Sequence, residues 1–283
     1  MNKISIINNF KLQNYFSHPF PFFLINNAYD EKTYDYLEKD YKLFHNYFQK
    51  NLRYKENNIR LQITTQEFFN SKLFSNSIWK DFIEFHTSKV FFMQLVEIFR
   101  KDMEKIYPKI IDIIDRENNQ ENFLNIRNEK NKKKFKFVAD CQPGINTPTI
   151  YKSSVRESHL DNSAELFAGL FYLRDNIDNS SGGDLEVMEI KKNKKAIFYK
   201  KSLVQNHSDL HVYKKIKYEK NKVIFFLNTK DSIHRISPRS VTNIPRNLTN
   251  IIFETYNLNT KLFSLYQKQS GYISTIKNFI GIK

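Results

Sequence analysis

Three side chains in this sequence could share one metal ion. His159 and Asp161 are separated by a single leucine, and His234 follows soon after the apolar run Val223 to Leu227. Two imidazoles and one carboxylate can occupy one face of a six-coordinate ferrous ion and leave the opposite positions open for reactants. That pattern points to metal-dependent oxidation. Twelve residues beyond His234, Arg246 opens the apolar stretch Leu248 to Tyr256. A guanidinium projecting from a strand end into the protein requires an anionic partner, and its fork matches a carboxylate in a bidentate manner. A dicarboxylate co-substrate would supply that charge, and an α-keto acid at its other end can chelate iron through two oxygens.

The elements around these residues must bring them together. In an extended segment alternate side chains share a face, so His159 and Asp161 can reach the same ion. A His-x-Asp pair alone is weak, and the chain holds a second, His207-Ser208-Asp209, which continues to His211. His234 follows Asp209 by only 25 residues, enough for about two short strands. From Asp161 to His234 there is room for the four or so strands with which a jelly roll returns its far edge to its first. His207, Asp209 and His211 are therefore expected on an exposed strand or loop among lysines.

From Phe135 onward the chain reads as short β-type runs: Phe135 to Ala139, Thr149 to Val155, Leu166 to Leu173, Leu185 to Glu189, Ile216 to Tyr218, Val223 to Leu227 and Leu248 to Tyr256. Turn signals at Gly144, Asp175 to Asp178, Ser180 to Gly183 and Glu219 to Asn221 punctuate them. This spacing indicates a sandwich or double-sheet jelly roll. Residues 1–125 read mainly as helices. A short strand at Phe22 to Ile25 precedes a helical pattern of Tyr34, Leu37, Tyr41, Phe44 and Tyr47, and further helices run through Trp79, Phe82 and Ile83, through Phe91 to Phe99, and past Pro108. The resulting expectation is an α+β chain, with a helical lead-in at 1–125, a β core at 126–257 and a basic amphipathic tail at 258–283 that packs onto the core.

Composition narrows the class further. A hydrophobic content of 40% in 283 residues supports a substantial core. The single cysteine, Cys141, rules out an internal disulfide and fits a reducing compartment. Met1 to Phe10 lacks the apolar core of a secretory signal, and no stretch reaches the ~18 apolar residues of a membrane span, so a soluble cytoplasmic protein is expected. The formal charge of +15 raises nucleic acid as a partner. The basic residues cluster in runs at 131–136, 191–201 and 214–222, which read as solvated hairpin ends, and the long insertion Lys191 to Lys215 reads as surface decoration.

From about Asp140 to Tyr256 the sequence resembles the 2-oxoglutarate/Fe(II)-dependent oxygenases, and within them the prolyl-hydroxylase-like branch. The resemblance is carried by His159-Leu160-Asp161-Asn162, the strand Leu166 to Leu173, Gly182-Gly183-Asp184-Leu185, His234 with Pro238 four residues on, and Arg246, in that order. It implies a double-stranded β-helix, or jelly roll, with His159, Asp161 and His234 on iron and Arg246 on the distal carboxylate of 2-oxoglutarate. The implied reaction is a dioxygenase reaction: molecular oxygen and 2-oxoglutarate are consumed, succinate is released and a substrate C–H bond is hydroxylated, with ascorbate as an optional reductant.

The chain departs from the family at several points. A tyrosine often stands three positions before the first ligand; here that position is Arg156, and Tyr151 is the alternative source of a phenol. The interval from His234 to Arg246 is slightly long, which keeps Arg239 in reserve as the carboxylate-binding residue. Asp161 excludes the halogenating variant, in which a small residue opens a position for halide. A second arginine six residues after the first, carried by the nucleic-acid demethylases, is replaced by Ile252. The implied substrate is thus a small metabolite, a sugar or lipid precursor, or a protein side chain. A nucleic-acid-modifying oxygenase and a non-catalytic metal-binding barrel are the alternatives, and oligomeric state is left open.

Overall fold

The structure is a computed structural model that describes residues 4–74, 77–130, 132–199, 202–256 and 262–263. Its thirteen strands among these residues are β1 (Tyr15–Phe16), β2 (Phe22–Asn26), β3 (Arg60–Gln62), β4 (Leu124–Ile126), β5 (Phe137–Asn146), β6 (Glu165–Tyr172), β7 (Leu185–Ile190), β8 (Phe198–Tyr199), β9 (Leu203–Val204), β10 (Leu210–Ile216), β11 (Lys222–Leu227), β12 (His234–Ile236) and β13 (Arg246–Glu254). Six helices precede β4: α1 (Glu31–Asp40), α2 (Lys42–Phe48), α3 (Thr65–Asn70), α4 (Ile78–His86), α5 (Lys89–Ile106) and α6 (Pro108–Glu117). The chain is therefore a mixed α+β fold.

The helices begin where the sequence supplies caps. Asp30 accepts from the Thr33 amide at 3.0 Å, Thr64 and Glu67 form a reciprocal capping box, Ser77 and Ser88 cap α4 and α5, and Pro108 starts α6. The single helical pattern expected from Tyr34 to Tyr47 is two helices that part at Tyr41. The Tyr41 hydroxyl is fixed to the sheet, donating to the Leu248 carbonyl at 2.7 Å and accepting from the Gly144 amide at 2.9 Å.

A large sheet runs in the order β1-β2-β11-β6-β13-β5-β3, with β4 parallel to β5. Its neighbours along that order are antiparallel. The helices bury their apolar stripes on one face of it, where Phe82 stacks on Phe171, Phe99 on Phe167, and Phe92 meets Phe137 and Phe253. Each such phenylalanine contributes about 1.5–3 kcal/mol by leaving water, so the helical region and the large sheet are stabilised as one core. A smaller sheet, β10-β7-β12, faces the other side. Between the two sheets lie Phe22, Ala168, Tyr172, Ile224, Phe226 and Leu248 of the large one, against Leu185, Val187, Ile216 and Ile236 of the small one.

Several strand expectations change. Thr149 to Val155 is not a strand; it makes only isolated bridges, Thr149 with Thr242 and Ser153 with Arg239. The strand expected at Phe135 to Ala139 runs instead from Phe137 to Asn146, passing through Gly144. Gly144 is there because β3 approaches closely: a Cβ would stand 2.7 Å from the Leu61 carbonyl oxygen. The expected tail, 258–283, lies outside the described residues except for Leu262 and Phe263. Among the described residues no helix is long and apolar enough to cross a membrane.

The buried His86 sets an acid limit on this core. Its Nδ1–H donates to the Phe82 carbonyl at 2.7 Å, and its Nε2 accepts from the Ile6 amide at 3.2 Å. Burial lowers its pKa from 6.5 to about 3. Between those values the unfolded chain binds a proton that the folded chain does not, so this stabilisation is complete above pH 6.5 and falls as pH drops toward 3. Chemical denaturation should show wild type losing about 2 kcal/mol more than His86→Gln between pH 7 and pH 5. Equal losses would show that another group controls acid unfolding.

Candidate metal centre and co-substrate pocket

His159 and His234 come together through the backbone. They exchange amide-to-carbonyl hydrogen bonds of 3.0 and 3.1 Å, forming an isolated antiparallel bridge at the start of β12. Their rings lie 4.2 Å apart between centroids. Asp161, two residues beyond the bridge, turns its carboxylate to both: Oδ1 is 3.4 Å from His159 Nε2, and Oδ2 is 3.6 Å from His234 Nε2. One ligand atom from each residue lies within 4.8 Å of the others, and among the described residues no other trio of His, Cys, Asp or Glu converges in this way.

The proton positions follow from the partners. His159 Nδ1 sits 2.6 Å from the Glu157 carbonyl, and His234 Nδ1 sits 2.9 Å from the Ser232 carbonyl. A carbonyl oxygen only accepts, so both rings carry a proton on Nδ1 and turn Nε2 toward Asp161. This is the tautomer a metal requires. Burial first, and then the neighbouring His159, lowers the His234 pKa to about 4. Burial pushes the Asp161 carboxyl up, but His234, His159 and Arg156 together outweigh it and hold the group below the usual carboxylate range. Arg156 reaches Asp161 Oδ1 at 3.2 Å. At neutral pH His234 is thus a neutral imidazole beside the Asp161 carboxylate.

A cavity of about 330 Å³ opens onto this cluster, with apolar walls at Leu185, Phe226 and Ile236. Arg246, at the start of β13, is 1% exposed. Its guanidinium lies between the rings of Tyr172 and Tyr218, 4.8 and 4.7 Å from their centroids. Nε donates to the Gly183 carbonyl at 2.9 Å, Nη1 to Asn146 Oδ1 at 3.3 Å, and Nη2 is enclosed without a partner. The Tyr172 hydroxyl and Asn146 Nδ2 are also buried and unpartnered. No carboxylate is paired with Arg246 among the described residues. Arg239 differs: its Nη2 meets Asp178 at 2.9 Å and its Nε donates to Ser180 Oγ at 2.9 Å. The reserve arginine already has its counter-charge.

The Gly-Gly turn before β7 has a local purpose. Gly182 and Gly183 have φ of +77° and +72°, a region costly for other residues. A Cβ on Gly182 would stand 2.0 Å from the Pro238 carbonyl oxygen. Gly182→Ala should therefore destabilise the protein by about 2 kcal/mol or more. Thermal denaturation checks this; an unchanged melting temperature would contradict the packing argument.

The structure does not bring Tyr151 to this site. The residue is 65% exposed, and its amide is bonded to Asn57 Oδ1 at 3.0 Å. The phenols beside Arg246 are Tyr172 and Tyr218 instead. His207 and Asp209 lie in an exposed turn, where Asp209 accepts from Asn206 at 2.7 Å, and His211 pairs with Glu189 at 2.9 Å. The insertion from Lys191 to Lys215 is more than decoration. Leu203 bridges His159, the Val204 amide donates to the Ser158 carbonyl at 2.8 Å, and Val204 and Leu210 pack on Leu160 and Ile233. It clamps the loop that carries two of the three trio residues.

No family model and no curated protein matches the sequence. Among solved structures, the chain is similar to prolyl 4-hydroxylases and to a 2OG-Fe(II) oxygenase. A prolyl 4-hydroxylase of Phytophthora capsici matches at 11% identity and a TM-score of 0.46, over 99% of this chain and 71% of that one. One from Pseudomonas putida matches at 10% identity and a TM-score of 0.43, over 83% and 93% of the two chains. A Trichoplax adhaerens prolyl hydroxylase, solved with a hypoxia-inducible-factor peptide, matches at 13% identity and a TM-score of 0.40, over 83% of each chain. At these identities the functional reading depends on the site itself.

Proposed function

We propose that the chain is a 2-oxoglutarate- and iron(II)-dependent dioxygenase that hydroxylates a substrate C–H bond on a double-stranded β-helix. The observation that carries this reading is the pairing of two features between the same two sheets. One is a His-Asp-His trio in which both Nε2 atoms face the same carboxylate. The other is a buried arginine without a carboxylate. Two nitrogen donors and one carboxylate suit ferrous iron and leave half of an octahedron open. The orphaned Arg246 Nη2, Tyr172 hydroxyl and Asn146 Nδ2 fit a carboxylate that fills the gap between them.

In this reading His159, Asp161 and His234 hold iron, and Arg246, Tyr172 and Asn146 hold the distal carboxylate of 2-oxoglutarate. The bound metal supplies oxygen activation coupled to decarboxylation of 2-oxoglutarate to succinate, with ascorbate as an accessory reductant. The protein supplies geometry and charge. The Glu157 and Ser232 carbonyls fix the imidazole planes, Asp161 offsets part of the metal's charge, and Leu185, Phe226 and Ile236 keep water from the reacting side of the cavity. Substrates within reach of this chemistry are small metabolites, sugar or lipid precursors, and protein side chains.

The two halves of the proposed site are linked through one ligand, which gives a direct test. Under anaerobic conditions manganese(II) should tighten 2-oxoglutarate binding by about tenfold or more in calorimetry, a difference of at least ~1.4 kcal/mol. Equal affinity with and without metal would contradict a chelating co-substrate. Loss of all binding to either component would favour a non-catalytic barrel.

A further inference from the structure

Besides Arg246, an arginine that lines the cavity has no counter-charge. Arg60 stands on the edge strand β3, whose register opposite β5 is Arg60 to Asn146, Leu61 to Ile145 and Gln62 to Gly144. Alternation sends Leu61 into the core under the helices and leaves Arg60 and Gln62 on the cavity side, where both line the wall. The Arg60 Nε is enclosed and unpartnered, and no ion pair to Arg60 occurs among the described residues. Burial, and then the like charge of Arg246, lowers its pKa to about 10; Arg156 acts in the same direction. The other cations of this wall are matched. Arg127 meets Asp140 at 2.7 Å and Glu254 at 3.3 Å, and Arg156 meets Asp161.

Beside Arg60 the wall is built of amides. Gln62 Nε2 donates to Gln142 Oε1 at 2.8 Å, and Asn250 Nδ2 lies 3.4 Å from Gln62 Oε1. This polar wall and the His159–Asp161–His234 corner border one cavity, which Arg127, Arg156 and Glu165 also line and which has apolar walls at Leu185, Phe226 and Ile236. A half-buried guanidinium whose Nε is enclosed without a partner, repelled by its neighbour and without an ion pair among the described residues, is stabilised by a guest that supplies the anion.

We propose that Arg60 is the specificity residue for the primary substrate, gripping a carboxylate or phosphate group while Gln62, Gln142 and Asn250 contact its polar remainder. The substrate is then a small anionic molecule. Its charged end is held at the β3 edge of the large sheet, and the carbon to be hydroxylated is directed toward the proposed metal corner. This inference rests on the oxygenase reading above for the identity of the second ligand. It assigns Arg60 to the substrate and Arg246 to 2-oxoglutarate.

The test uses full-length protein. Titrations of wild type with manganese(II) and 2-oxoglutarate come first and report on the oxygenase reading alone. The protein saturated with both is then titrated with acetate, inorganic phosphate and acetamide. One equivalent of acetate or phosphate should bind saturably, whichever binds naming the anionic group, and neutral acetamide should not. Arg60→Gln should weaken that binding at least about tenfold, with Arg60→Lys intermediate because it keeps the charge without the fork. The affinity for 2-oxoglutarate should stay as in wild type. Because Arg60→Gln removes an uncompensated charge, its melting temperature should rise by about 2 °C or more. Any of four results would overturn the proposal: no saturable anion binding in wild type, equal anion binding in Arg60→Gln, a tenfold loss of 2-oxoglutarate affinity in that variant, or a fall in its melting temperature.

Discussion

Asp161→Ala is expected to weaken iron(II) binding by at least about 100-fold and to abolish succinate formation, while leaving the fold intact. Carboxylates that merely support a metal ligand are worth about 10–100-fold in affinity, and Asp161 is proposed to bind the ion itself. Its removal leaves two imidazoles, each held by a backbone carbonyl, which provide no negative charge to offset a dication. The fold should tolerate the change because Asp161's other partner, Arg156, is nearly half exposed and can return to water. Metal content after anaerobic loading and desalting, read beside circular dichroism, measures the effect. A folded variant that retains one equivalent of iron would remove Asp161 from the ligand set. His159→Ala and His234→Ala should behave alike.

The second large effect is expected at Arg246. Arg246→Ala should reduce 2-oxoglutarate affinity by about 3–5 kcal/mol, the cost of breaking a buried ion pair, and leave metal affinity near that of wild type. The paired Arg239 provides the contrast. Removing it takes away the nearer cation of the buried Asp178 carboxylate, which keeps Arg174 at 3.4 Å, so Arg239→Ala should appear as lost stability rather than as a selective loss of co-substrate. Calorimetry with 2-oxoglutarate and denaturant titration separate the two outcomes. Unchanged 2-oxoglutarate affinity in Arg246→Ala would transfer the role to Arg239.

The parts of this account that were legible in the sequence are those set by local chemistry. The His159, Asp161, His234 and Arg246 constellation could be read because spacing and residue type together limit what such groups can do, and the Gly182-Gly183 turn because positive φ selects glycine. Burial gave the helices through their periodicity and caps. What escaped depends on pairing across the chain. Tyr172 alternates with Ala168 and Leu170 on one face of β6, a signal that could have replaced Tyr151, but only the pairing with β13 places it over Arg246. Arg60 sits in a three-residue strand too short to show a pattern, and its importance comes from β5 lying between it and Arg246. Gly144 resembled a turn because the close approach of β3 leaves no trace near it in the sequence. The insertion around Val204 looked decorative because its lysines hide the few apolar residues that clamp the His159 loop.

The central claim is that one pocket couples iron and 2-oxoglutarate to oxygen. Succinate release tests it most directly: anaerobically iron-loaded protein is given 2-oxoglutarate, exposed to oxygen without added substrate, and compared with His234→Ala. Succinate formed by wild type, dependent on iron and absent in the variant, is the predicted result. Succinate at equal rates in both proteins, or a wild type that neither forms succinate nor binds 2-oxoglutarate, would contradict it.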